Sequence, residues 1–226
     1  LTLKATVDSG TIGTPHRFES RLERFRLLPK GDWRELNDPE ALGGVLYDFA
    51  PHLVDQALDL MGPVVSVNAH ARTVREIPVS DDDLLIILQH ESGGLSYLVG
   101  SLATALPGPR FTLAGTKGAL RINDLDTQEK HLKLGEIPGD GWGIESAEST
   151  VEIWSSDVAG ELTHSTLPFE IGNWPEYYRE VLAFLTESVL PTVSLDQAVA
   201  TTRVLDAARI SVANGEVVRL EPPATH

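Results

Sequence analysis

The chain has 226 residues, 42% hydrophobic and 23% charged, with 33 acidic against 18 basic side chains and a net charge of −15. This is the composition of a folded globular protein, and its acidity opposes the clustered basic surface that nucleic-acid binding needs. The absence of cysteine excludes disulfides and thiolate metal sites, and the longest apolar run, LLIIL at 84–88, is far too short to span a bilayer.

Residues 1–9 are too short to classify by pattern, and SGTIGTP at 9–15 reads as a turn from its Gly and Pro content. HRFESRLERFRLL at 16–28 has the spacing of a long strand, broken by PKGDW. LNDPEALGG then leads into an amphipathic helix over 43–62. From Val64 the period is two, giving strands at VVSVNAHART, LLIILQH, LSYLVGSL, FTLAGT and ALRIN, with turns at ESGG and KG. An antiparallel meander is the simplest arrangement of these strands. A Gly-rich excursion covers 127–148, and TVEIWSS and ELTHSTLPF form another hairpin around DVAG. PEYYREVLAFLTESVL opens on Pro and SLDQAVATTRVLDAARISVANG runs from Ser to Gly, as capped helices do; EVVRL is a closing strand. The pattern predicts one α+β domain over residues 1–226, with an open-faced, mostly antiparallel sheet and helices packed on one face. The other face is then either solvated or an interface, and because Leu85 and Ile87 oppose Leu84, Ile86 and Leu88, both faces carry apolar side chains.

The segment GGVLYDFAPHLVDQALDLMG at 43–62 carries the chemistry. On a continuous helix Asp48, His52, Asp55 and Asp59 fall within about 60° of one another. No Lys or Arg occurs among these twenty residues, although a solvated face normally places a cation near each carboxylate. A carboxylate beside an imidazole suits proton transfer near neutral pH; Asp48, His52 and Asp55, at i, i+4, i+7, could instead hold a divalent metal, or form an ordinary polar helix face. Pro51 fits a first helical turn, so Asp48 is a candidate cap for the helix that follows. DDD at 81–83 reads as a solvated loop or edge guard. GTIG, GDGWG and GTKGAL lack the strand-before, helix-after context of a phosphate-binding loop, so the chain has no nucleotide fingerprint.

These residues resemble the GGxxxDxxxHxxD segment in the C-terminal domain of the glucose–fructose oxidoreductase/inositol dehydrogenase/rhizopine catabolism family. The resemblance continues in order through SGTIGTPHRFES, LAGTKGALRI, PEYYREVLAFL and DQAVATTRVLDAARISVANGEVVRL. DFAPHLVDQAL, DTQEKHLKLG and PGDGWG further resemble the branch that includes NADP-dependent scyllo-inositol dehydrogenases, with Phe49 and Ala50 where that branch usually has Leu and Gly.

The resemblance implies that this chain is the C-terminal substrate-binding and dimerisation domain of a longer two-domain oxidoreductase. NAD or NADP would be bound by an N-terminal Rossmann domain, which also supplies a catalytic Lys from a Glu-Lys-Pro motif. It implies catalytic roles for Asp48 and His52, with His52 exchanging the proton of a substrate hydroxyl; Asp55 and Arg24 are candidate substrate contacts. The substrate is expected to be a polyol or sugar, and the partner a second copy of the chain through the open sheet face, as a homodimer or tetramer. No metal, nucleic acid or membrane partner is expected, the location is expected to be cytoplasmic, and these residues alone are expected to be inactive. The alternative is a non-enzymatic sugar-binding or assembly module on the same fold.

Overall fold

The computed structural model describes residues 1–31, 33–35, 43–77, 80–123, 127–139, 142–144 and 150–221. The expected lead-in at 36–42 and parts of the 127–148 excursion lie outside these residues. In chain order the elements are α1 (Thr2–Asp8), β1 (Pro15–Glu23), a 3-10 turn at Trp33–Glu35, α2 (Val45–Asp48), α3 (Ala50–Met61), β2 (Val64–Arg72), β3 (Asp83–His90), β4 (Leu95–Ser101), β5 (Phe111–Gly115) and β6 (Gly118–Ile122). They continue with α4 (Gln128–Lys133), β7 (Val151–Ser156), β8 (Leu162–Leu167), α5 (Pro175–Glu187), α6 (Leu195–Asn214) and β9 (Val218–Arg219). The fold is therefore α+β. No described helix is long and apolar enough to cross a membrane.

The strands form one sheet in the order β8-β7-β6-β5-β1-β4-β3-β2-β9. The meander expected from Val64 onward is split, because β1 lies between β4 and β5, parallel to the first and antiparallel to the second. β1 is also shorter than expected, and beyond it only an isolated bridge joins Phe25 to Ala103. Its central place follows from its side chains: Phe18 and Ser20 are fully buried under the helices, so the strand needs neighbours on both edges.

α2, α3 and α6 cover the sheet on one face, with α3 over β1 and β4 and α6 over β2. α3 buries Leu53, Val54 and Ala57, while Leu84, Ile86, Leu88 and Leu98 rise from the strands to meet the helical layer. α6 starts with a reciprocal capping box between Ser194 and Gln197 and ends at Gly215 in the left-handed region. Near its end the Ser211 hydroxyl accepts from the Ala69 N–H at 2.9 Å and donates to the Glu216 carbonyl, tying helix to sheet.

The opposite face presents Leu85, Ile87, Tyr97 and Val99, paired across β3 and β4. On β1 and β6 that face becomes charged, with Arg21 on Glu19 at 3.1 Å and Arg121 on Glu152. A second apolar surface was not foreseen: α5 has no buried residue, and Tyr178 and Leu185 are 75% and 73% exposed.

The helix over 43–62 is interrupted. Phe49, at φ −100° and ψ −40°, separates α2 from α3 and is itself the cap residue of α3, so Asp48 does not cap it. α2 is capped instead from a distant loop: the Asp81 carboxylate accepts from the Leu46 N–H at 2.8 Å and the Asp81 carbonyl accepts from the Val45 N–H at 3.0 Å. Burial pushes the Asp81 carboxyl upward, and these N–H groups pull it back. Gly44 makes the approach possible, since it has φ +90° and a Cβ there would sit 2.1 Å from the Asp81 Oδ1.

The DDD run is correspondingly structural rather than solvated. Asp82 is fully buried and accepts from the Arg75 Nε at 2.8 Å, and Arg75 also donates to Glu35 at 3.1 Å; Asp83 pairs with Arg72 at 2.9 Å. Removing one partner from a buried charge cluster of this kind leaves the others uncompensated, at a cost of about 3–5 kcal/mol.

His90 is buried beneath α3, donating from Nδ1 to the Gly62 carbonyl and accepting at Nε2 from the Ser96 hydroxyl, both at 2.7 Å. This arrangement uses neutral imidazole, and burial pushes its pKa down.

Two outcomes follow from these contacts. Gly44→Ala adds a side chain against Asp81 and strains a left-handed backbone, and is expected to cost about 1–3 kcal/mol in a denaturant titration. His90 binds its proton more readily unfolded than folded, so its contribution is full above its unfolded pKa near 6.5 and is lost as pH falls below that value. The melting temperature of His90→Gln is therefore expected to fall less than that of the wild type between pH ~7.5 and ~5.5; parallel slopes would show that His90 is not the titrating group.

Candidate active site

Asp48, at the end of α2, and His52, in the first turn of α3, line one cleft of about 850 Å³, bounded by the end of β1, the 3-10 turn, α4 and the start of β5. Asp48 is ion-paired with Arg34, its Oδ1 3.3 Å from the Arg34 Nε. Arg34 in turn lies over the Trp33 ring at 4.7 Å. The loop bearing Arg34 is pinned at two points, by the Gly44 N–H donating to the Arg34 carbonyl at 2.6 Å and by the buried contact of Glu35 with Arg75. Asp48 thus receives the cation that its own helix lacks from a residue fourteen positions earlier in the chain.

His52 stands in the first turn of α3, exposed to the cleft, with no hydrogen bond to any described residue. Its imidazole is open to a ligand. Four residues on, Gln56 lines the same cleft, and its Oε1 accepts from the Ser20 hydroxyl at 2.9 Å and from Arg110. Arg24, immediately after β1, also lines the cleft, with its guanidinium 5.5 Å from the Phe49 ring centroid.

Asp55 is placed elsewhere. It lines a separate groove of about 700 Å³ between α3 and α6, together with Asp59 and Arg203. Partial burial pushes its carboxyl upward, Asp59 adds to that, and His52 opposes it. Asp59 is paired with Lys4 of α1 at 2.7 Å. Of the four candidate residues the structure therefore gathers Asp48, His52 and Arg24 around one cleft and sets Asp55 apart.

Arg34, Gln56 and Arg110 were not singled out from sequence. Gln56 was the accessible one, since it lies one turn beyond His52 on a helix already under scrutiny. Arg110, in PGPRF, has no local pattern that separates it from a solvated residue at a strand start.

A dinucleotide pyrophosphate needs backbone N–H groups at a glycine-bearing helix start. The Gly43–Gly44 pair before α2 is the nearest such place to the cleft, but the Asp81 carboxylate already accepts there and would repel a phosphate. That helix start therefore does not fit a dinucleotide pyrophosphate.

Comparison with known proteins bears on these features. The GFO/IDH/MocA C-terminal domain family matches residues 1–121. The chain is 31% identical over 224 residues to an uncharacterized oxidoreductase of Schizosaccharomyces pombe, covering 92% of this chain and 60% of that protein. It is 26% identical to the scyllo-inositol 2-dehydrogenase (NADP(+)) IolW of Bacillus subtilis, covering 98% of this chain and 61% of IolW. Among solved structures, an oxidoreductase from Bacillus cereus superposes with a TM-score of 0.85 at 22% identity, over 98% of this chain and 64% of that one, which shows the same fold. The chain thus spans about three fifths of the length of these relatives. With the GG-x3-D-x3-H segment folded against the cleft and the family matching more than half of its residues, the chain belongs to the GFO/IDH/MocA family and carries its C-terminal domain.

Proposed function

We propose that this chain is the substrate-binding and oligomerisation part of an NAD(P)-dependent oxidoreductase that oxidises a hydroxyl of a polyol or sugar, or reduces the corresponding ketone. The observation that carries the reading is the placement of Asp48 and His52 on one cleft wall, His52 without a hydrogen-bond partner and Asp48 anchored by Arg34. A nicotinamide held by a part of the protein beyond these residues supplies the hydride acceptor.

The chain's own contribution is to bind the substrate, fix its orientation and move a proton. As the carbinol carbon gives up its hydrogen as hydride, the hydroxyl loses its proton to a base, and His52 is the group in reach of the cleft that accepts it. Asp48, held by the Arg34 guanidinium, is positioned to accept a hydrogen bond from the substrate and fix which hydroxyl meets His52. In the reverse direction His52 returns the proton to the oxygen of the ketone.

Two apolar surfaces support a larger assembly. The α5 flank, with Tyr178, Leu182 and Leu185 exposed, is the surface assigned to the remainder of the protein, consistent with a chain spanning three fifths of its relatives. The patch of Leu85, Ile87, Tyr97 and Val99 on the open sheet face is assigned to a two-fold contact with a second copy.

In the intact protein, His52→Ala is expected to lower turnover by about two orders of magnitude or more, with little change in melting temperature because the side chain is exposed and unbonded; unaltered kinetics with the candidate polyols would reject His52 as the base. Sedimentation of the intact protein at micromolar concentration is expected to give a dimer or tetramer that Ile87→Lys dissociates, while a wild-type monomer would reject the sheet-face contact.

A further inference from the structure

The chain carries a net charge of −15, yet among the described residues its cleft is lined by seven Lys and Arg side chains against four carboxylates. Several of these cations are matched. Arg75 is held by Glu35 and Asp82, Arg34 by Asp48 and Lys133 by Glu129. The mouth remains positive: Glu129 is held below the usual carboxylate range first by Lys133 and then also by Arg24 and Lys30.

Arg110 differs from the others. It is 8% exposed, and no described carboxylate is bonded to it. Its Nη1 donates to the Ser20 hydroxyl at 2.7 Å, its Nη2 to the Gln56 Oε1 at 3.3 Å, and its guanidinium lies 4.0 Å from the Phe111 ring centroid. Its Nε is buried without a hydrogen bond. Among the described residues all of its partners are neutral, and none supplies a counterion to the positive charge at the cleft wall. Burial pushes its pKa down to about 10, which leaves it charged at neutral pH. An uncompensated buried charge is retained at a cost to stability, and a guanidinium fork with unused donors is shaped for an oxyanion. Gln56, its neighbour, lies one turn of α3 from His52, about 6 Å along the axis.

Building on the proposed oxidoreductase reading, we propose that the substrate is an anionic polyol, carrying a carboxylate or a phosphate that Arg110 receives beside Gln56 while a hydroxyl one helical turn away faces His52. Ser20 and Gln56 hold the guanidinium in place, and Arg24 and Lys30 draw the anion toward the cleft. Neutral polyols would leave the buried charge unmatched, so the group discriminates between substrates as well as binding them.

The test is calorimetric titration of the intact protein, loaded with its nicotinamide cofactor so that any cofactor-phosphate site is already filled. The probes are D-glucose, D-glucuronate and D-glucose 6-phosphate. At least one anion is expected to bind about tenfold or more tightly than glucose; a preference for glucuronate identifies a carboxylate and a preference for glucose 6-phosphate a phosphate. Arg110→Gln is expected to abolish the preference, read as the ratio of anion to glucose affinity, and Arg110→Lys, which keeps the charge but not the fork, to reduce it. The proposal is overturned if neither anion binds more tightly than glucose to the wild type, a comparison that needs no variant to fold. It is equally overturned if the preference survives in Arg110→Gln. Nicotinamide absorbance read on the same samples separates the two readings: an Arg110-dependent anion preference without hydride transfer supports the anion site and counts against the oxidoreductase assignment. Hydride transfer from glucose without anion preference does the opposite.

Discussion

The Asp81 carboxylate at the start of α2 is the contact on which the geometry of the site depends. It satisfies the Leu46 N–H, which has no partner within the helix, and it reaches that group only because Gly44 has no side chain. Asp81 is itself held in place by its neighbour, since Asp82 is locked into the buried cluster with Arg75 and Glu35. Glu35 fixes the loop that brings Arg34 to Asp48. A line of contacts thus runs from the start of β3 through the buried ions to Arg34 and Asp48 on the cleft wall.

This arrangement explains how a strongly acidic chain holds a cationic cleft. Two carboxylates of the Asp48–Asp59 stretch are met by cations from other elements. Asp59 is met by Lys4 from the first helix and Asp48 by Arg34 from the loop after β1. The remaining cations are gathered from the segments after β1 and after β2, from the residue before β5 and from α4, far apart in sequence, and are concentrated in one concavity where low-dielectric walls strengthen their field.

The sheet sets the outer form in the same way. Insertion of β1 between β4 and β5 joins two antiparallel groups into a nine-stranded surface, one face buried by helices and the other divided between an apolar patch and charged pairs. The cleft opens where the end of β1 meets the start of α3, so the same strand that joins the sheet also forms a wall of the site.

Several features were determined by the sequence alone. The hairpins at ESGG, KG and DVAG and the capping box and terminal glycine of α6 all rest on residues within a turn or two of one another. Tertiary structure decided the rest: the break at Phe49, the burial of Asp81 and Asp82, the central place of β1, the separation of Asp55 from the cleft, and the unpaired charge of Arg110. Most of these rest on partners far apart in the chain, as with Leu46 and Asp81, Lys4 and Asp59, or Ser20 and Arg110. Periodicity and capping are local energies that a short window of sequence contains, whereas the burial of a charge and the identity of its counterion are set only when distant segments pack together.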